Sequence, residues 1–439
     1  MTETDEPVSE AVTLRKIAWR LLPLIALGYA IAYVDRVNIS FAALQMNRDL
    51  GFSATVYGLG GGLFFLSYAA LEVPSNMVLA KVGARRWIAR IMITWGVLAM
   101  GMAFVQTPWQ FYLMRFLLGA AEAGFFPGVL YYVTLWFPET HRARAITRFY
   151  FAVPLGAAAM GAVSGSLLGM QGTLGLAGWQ WLFLAQGLPA VLLSIVILFC
   201  LPDRPEKVRW LSAAEKAWLT ARLAADAAGR SGDHPNPFRA LLSPTVAALV
   251  AVNFLALGSG YAFTLSAPEI VRGATGLSAD AIGYIAAAAN LAGAALILTN
   301  GWLSDRTGDR GIFVAGPMLV VAAALALLAA TEAPAAVIVG YVTYTAFNVA
   351  GLALFFTTPG AILHPRSAAV GVAAINSLGQ LGSFVIPSLW GVARDATGTY
   401  HAGLAVVAAN FAIAATIVLV LRARAKRGAF AQPRHGEAH

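Results

Sequence analysis

The sequence predicts an all-α membrane protein whose twelve transmembrane helices form two pseudo-symmetric halves of six. Three observations predict it. Hydrophobic residues fill 59% of the 439 positions and charged residues only 12%, with a mean hydropathy of +0.70. Soluble domains carry about 25% charged residues, and no soluble core hides so much apolar surface. The apolar residues also come in long runs without alternation, which excludes an outer-membrane barrel. Finally, the basic residues gather at alternate gaps between the runs.

In chain order, the first six runs are Ala18–Ala42, Thr55–Leu79, Ile88–Val105, Trp109–Leu135, Ala143–Leu168 and Gln180–Leu201. Each is long enough to cross about 30 Å of hydrocarbon. A polar stretch follows over 202–239. Six more runs are Ala240–Ile270, Ala279–Leu303, Ile312–Ala330, Ala335–Leu363, Ala369–Val392 and Ala402–Leu421. The expected divisions are therefore 1–201, a linker 202–239, 240–422 and a tail 423–439. In the linker, Ser212 and Glu215 have capping-box spacing. Trp218, Leu219 and Leu223 then share one face, which predicts an amphipathic helix on the membrane surface that links the halves.

With the N-terminus placed in the cytoplasm, 25 of the 30 Lys and Arg fall on the cytoplasmic side. Only Arg48, Arg272 and Arg394 fall opposite, and Arg36 and Arg115 lie inside spans. That bias predicts both termini inside, in the inner (cytoplasmic) membrane. It also explains the net charge of +9 without nucleic acid. Residues Thr2 to Glu10 are acidic, so no cleavable signal peptide is expected and the first span serves as the insertion signal. The single cysteine, Cys200, excludes an intrachain disulfide, and no histidine stands mid-span. No metal site, cofactor or nucleophile–base pair is implied, which argues against a membrane-embedded enzyme.

Four ionisable residues sit deep in spans: Asp35 and Arg36 in the first, Arg115 and Glu122 in the fourth. A charge at the bilayer centre costs about 3 kcal/mol on insertion scales, so it normally faces a cavity and has a partner. Arg115 and Glu122 are seven apart, within about 20° of the same face and about 10.5 Å apart along the axis. Asp35 and Arg36 point about 100° apart, so each needs a partner elsewhere. The four sum to zero, as in a site whose carboxylates neutralise two arginines when empty. An entering carboxylate would then favour protonation of Asp35 or Glu122, since like charges oppose each other. Arginine suits such a substrate because its fork holds a carboxylate bidentately and stays charged. The bland alternative is an ionic lock between the first and fourth spans.

The C-terminal half offers neutral groups instead: Asn253, Tyr261, Asn290, Asn348, Thr357, Thr358, Asn376, Ser377 and Gln380. Asn376 and Gln380 share a face and suit the hydroxyls or second carboxylate of a substrate; ordinary interhelical bonding is the alternative. Tyr33 and Tyr68 are candidate pocket walls, and Tyr29 and Phe65 packing residues. Glu72, near the cytoplasmic end of the second span, is a candidate gate or third titratable group. Gly58-Leu59-Gly60-Gly61-Gly62 and the Gly161/Gly165 pair predict close helix contact.

Several stretches carry a family resemblance. The turn Gly301-Trp302-Leu303-Ser304-Asp305-Arg306-Thr307-Gly308-Asp309-Arg310 resembles the cytoplasmic-loop signature of the major facilitator superfamily. The counterpart after the second span departs from it, with Ala80-Lys81 where Asp-Arg is usual. Tyr33 to Asn38, Glu72 to Asn76, Arg115 to Gly128 and Leu201 to Glu206 resemble its anion:cation symporter branch, the tartrate and phthalate permeases above all. The resemblance implies a substrate site at mid-membrane between two halves. It implies proton-coupling roles for Asp35 and Glu122, substrate or coupling roles for Arg36 and Arg115, a site role for Asn376, and gate roles for Asp305 and Arg306. The expected function is import of a small organic anion with protons, by a carrier that works as a monomer. Efflux antiport is the alternative. Its usual Gly-x-x-x-Gly-Pro-x-x-Gly signature is absent from the fifth span, which reads Val153-Pro154-Leu155-Gly156-Ala157-Ala158-Ala159-Met160-Gly161.

Overall fold

The computed structural model describes residues 9–228, 243–356, 358 and 365–431. Eleven helical stretches there are long and apolar enough to cross a membrane. The helix Pro365–Thr397 makes a twelfth and packs against the second and seventh spans. The first span, Glu10–Leu50, overruns the apolar run at both ends and stops at Gly51, whose φ of 66° closes the helix. The second, Ala54–Val82, starts at Ser53, whose hydroxyl accepts the Val56 amide at 3.3 Å. The third and sixth are Ala84–Gly101 and Gly178–Cys200.

The fourth and fifth spans are interrupted. The fourth is Pro108–Glu122 plus Phe125–Thr134, and the fifth is Glu139–Tyr150 plus Ala152–Leu168. The seventh to tenth are Pro244–Thr275, Ala279–Thr307, Arg310–Ala330 and Pro334–Phe355, and the twelfth is His401–Ala431. The tenth helix thus ends eight residues before the expected Leu363; Thr357 and 359–364 lie outside the described residues.

The linker helix, Ala213–Ala228, covers the N-terminal half rather than presenting its apolar face to a membrane surface. Leu219 is fully buried, and Trp218 and Leu223 pack on that half's core. Lys16 Nζ meets Glu215 Oε2 at 3.0 Å, and the Trp136 and Trp210 rings stack at 5.9 Å. Asp226 accepts the Glu139 amide at 2.7 Å.

The halves meet at the end away from the termini. Glycines bring helix backbones together there. A Cβ on Gly161 would stand 2.7 Å from the Gly283 carbonyl, joining the fifth span to the eighth. One on Gly58 would collide with the Pro387 carbonyl, joining the second to the eleventh. Small residues allow this approach and the dispersion contact it brings. Asp395 of the eleventh span accepts the Ala54 and Thr55 amides at 3.0 and 2.7 Å. It thereby caps the free amides of the second helix, across the interface between the halves.

Candidate functional site

The site is built where the fourth span breaks. Thr107 and Gln110 form a capping box that starts its first piece, and Glu122 is the last residue of that piece. Ala123 then turns extended, and Gly124 takes φ 88° before Phe125 resumes the helix. A side chain at 124 is barred twice: the φ is left-handed, and the Ser75 Cβ lies 2.7 Å from where a Cβ would stand. The continuous run expected from hydropathy is thus two half-helices. Hydropathy sees only an apolar string, while the break needs a backbone torsion that glycine alone adopts freely.

The break sets Glu122 against the first span. Arg36 Nη2 and Nε both donate to Glu122 Oε1, at 2.6 and 3.1 Å. Glu122 is fully buried and its Oε2 has no hydrogen-bond partner among the described residues. The Arg36 guanidinium also lies 5.2 Å from the Tyr68 ring and 5.8 Å from that of Phe64. Its side chain keeps 12% exposure, the most open of the four charges. The fork is thus turned mainly to Glu122, with a small part of it left accessible.

Asp35, one position away, points into the N-terminal bundle. Its Oδ1 accepts a hydrogen bond from Gln186 Nε2 of the sixth span, and its Oδ2 has no partner among the described residues. Gln186 was missed in the sequence, although it is a lone amide in the apolar run Leu182 to Pro189. Arg115 forms no ion pair among the described residues. Its Nε donates to the Gly60 carbonyl at 3.4 Å, and its guanidinium stands 4.8 Å from the Phe64 ring. Of the four charges one pair is direct, Arg36 with Glu122, while Asp35 and Arg115 are hydrogen-bonded by neutral groups.

The walls are aromatic. Tyr33 and Tyr150 are half-buried on the N-terminal core, and Tyr68 is buried. Tyr29 stacks on Phe126 at 5.3 Å, and Phe65 meets Tyr261 of the seventh span at 4.2 Å. Across the cleft, Asn376 Nδ2 donates to Glu72 Oε1 at 3.1 Å and Ser377 Oγ to Glu72 Oε2 at 3.5 Å. Gln380 is buried, and its Oε1 has no partner among the described residues. Thr358 Oγ1 turns back to the Leu354 carbonyl at the end of the tenth helix, at 3.4 Å. Asn253 and Asn290 are likewise spent on backbone carbonyls.

Asp305 and Arg306 are exposed, and Arg306 lies over Trp302 at 5.2 Å. Neither bridges the halves among the described residues. The acid that ties this turn down is Asp309, with Arg422 at 2.5 Å and Lys426 at 2.8 Å. The hydrogen bonds from Arg422 hold its carboxyl well below the usual carboxylate range.

Residues 25–387 match the sequence profile of the Major Facilitator Superfamily. The chain belongs to that superfamily. A relative from Agrobacterium vitis, named as a tartrate transporter, is 44% identical over 412 residues, covering 94% of this chain and 92% of its own. A quinolone resistance transporter from Acinetobacter baumannii is 40% identical over 396 residues, covering 90% and 91%. The xylose transporter XylE from E. coli superposes with a TM-score of 0.72 at 12% identity, covering 96% of this chain and 99% of that one. The twelve-helix facilitator fold follows, and with it a multi-pass membrane transporter.

Proposed function

We propose that this carrier imports a small organic anion together with protons. One observation carries the reading: Arg36, on the wall of the cleft, is held by a single oxygen of Glu122, with Asp35 at its back. Two carboxylates and two arginines cancel in the empty site, and each carboxylate keeps one oxygen free for a proton. A substrate carboxylate arriving at Arg36 adds negative charge beside Glu122. Proton uptake at Glu122 or Asp35 offsets it, so anion and proton bind together. The neutral donors of the C-terminal half then read the rest of the molecule. Tartrate, phthalate and sugar acids all meet this description, and the Agrobacterium relative's name favours the first. No cofactor enters the cycle.

The basic bias supports both termini in the cytoplasm, at the inner membrane. The end at which the glycines bring the halves together then faces outward. Reporter fusions after Arg239 and at the C-terminus should both report the cytoplasm; a periplasmic signal from either overturns the layout. The function is tested in proteoliposomes with an acidic exterior and labelled tartrate, phthalate or glucarate outside. Accumulation above equilibrium that a protonophore collapses is the expected result. A second reading, efflux by antiport, is favoured by the Acinetobacter relative. It requires a quinolone to move against the proton gradient while none of the three carboxylates does.

A further inference from the structure

We propose that Glu72 is an internal competitor for the substrate, its carboxylate occupying in the empty carrier the eleventh-span donors that an entering anion takes over. This rests on the reading of the cleft as a carboxylate site. Glu72 is only 6% exposed, and among the described residues no ion pair to it is seen; the Arg36 charge acts on it only through space. A buried carboxylate without a countercharge is costly unless donors satisfy it. Here the donors come from the opposite half: Asn376 Nδ2 at 3.1 Å and Ser377 Oγ at 3.5 Å, one on each oxygen. That is the arrangement a bound substrate carboxylate would take at the same two groups. Nearby, Phe65 and Tyr261 close the same gap between the halves at 4.2 Å.

Two consequences follow. An anion that reaches Asn376 must first displace Glu72, so part of its binding free energy is spent on that exchange. In return, the empty carrier keeps its halves bridged without substrate, as it must when it resets between rounds of symport.

The test measures binding of tartrate, phthalate and glucarate to purified protein by titration calorimetry. Removing one hydrogen-bonded competitor should tighten binding about two- to tenfold in Glu72→Ala. Glu72→Gln, which still accepts from Asn376, should fall between it and the unaltered protein and guards against a folding failure. Removing a negative charge would also raise anion affinity by field alone, so the decisive arm is the double variant Asn376→Ala/Ser377→Ala, which removes both donors. In that background Glu72→Ala should bring no gain, whereas a field effect would persist. Unchanged or weaker binding in Glu72→Ala, or a gain that survives loss of both donors, overturns the proposal. A ligand-free arm uses spin labels at Lys81 and Arg306, with Cys200 replaced by Ser. Their separation should widen in Glu72→Ala, and an unchanged distribution overturns the bridging role. If the unaltered protein binds none of the three acids, the carboxylate reading fails, while the spin-label arm still decides whether Glu72 joins the halves.

Discussion

The two halves share one architecture but bury different chemistry. The N-terminal half buries Asp35, Glu72, Arg115 and Glu122, with Arg36 half-buried among them. Among the described residues of the C-terminal half, the buried polar groups are all neutral: Asn253, Ser259, Ser266, Asn290, Ser304, Thr358, Gln380 and Ser383. Buried charge is expensive in a bilayer, and confining it to one half lets the other slide over a polar but uncharged face. The contrast suggests a division of labour. Under the proposed function, one half handles charge and protons and the other the shape and hydroxyls of the substrate. If that is right, coupling and specificity can be broken separately.

The largest effect should come from the carboxylates. Asp35→Asn and Glu122→Gln mimic the protonated state permanently. Both should abolish accumulation driven by a proton gradient, while at least one spares exchange of substrate for substrate. Proteoliposomes loaded with substrate report both rates side by side. Full gradient-driven accumulation in both variants would remove these two from the coupling path and leave Glu72 as the candidate carboxyl.

Next in size are the arginines. Arg36→Lys keeps the charge but loses the two donors on Glu122 and the fork offered to the cleft. A charge-assisted pair of this kind is worth about tenfold or more in transport efficiency. Arg115→Lys should cost less, because Arg115 is 2% exposed and pairs with no carboxylate among the described residues. Uptake kinetics on both variants, with protein in the membrane quantified, rank them. Equal losses would mean that Arg115 touches the substrate in another state of the cycle. Arg272→Lys, whose Nη1 donates to the Leu44 carbonyl at 3.4 Å, serves as a near-silent control.

The C-terminal half should give the smaller, selective effects. Gln380→Ala should raise KM about fivefold for a hydroxylated acid such as tartrate, the worth of one hydrogen bond. It should leave phthalate, which has no hydroxyl, nearly unchanged. A loss of proton coupling in this variant would contradict the division of labour.

The sequence revealed the helices and the four charges because hydropathy and charge are local properties. It did not reveal partners, which depend on how helices rotate against one another. Spacing suggested that Asp35 and Arg36 needed separate partners, which they have. Nothing local pointed to Gln186 or to the break at Gly124 that delivers Glu122 to Arg36. Asp395, a lone acid beyond the expected end of the eleventh span, also gained meaning only once the second helix's free amides stood beside it.

The smallest effect concerns a second pair of matched regions, the turns at the terminal end. In the N-terminal half, Asp203 after the sixth span accepts the Arg85 amide at 3.0 Å and lies 3.5 Å from its guanidinium. In the C-terminal half the signs are exchanged: the acid, Asp309, is in the turn, and the base, Arg422, is near the end of the twelfth span. Each half thus ties its second-to-third helix turn to its last helix, with opposite polarity. Asp309 is partly solvated, so its pairs contribute little. Asp309→Asn should lower the melting temperature by about one or two degrees at pH 7. The sign of its pH dependence follows from the direction of its shift. Because folding depresses the carboxyl, its contribution is whole above the ordinary carboxylate range, near pH 4, and is lost as pH falls below that toward the folded-state value. The gap between Asp309→Asn and the unaltered protein should therefore stay constant from pH 8 to pH 5 and close in more acid buffer. A gap that instead closes between pH 8 and pH 6 would show that Asp309 titrates in the range where the carrier works, and would move part of the pH sensitivity out of the N-terminal half.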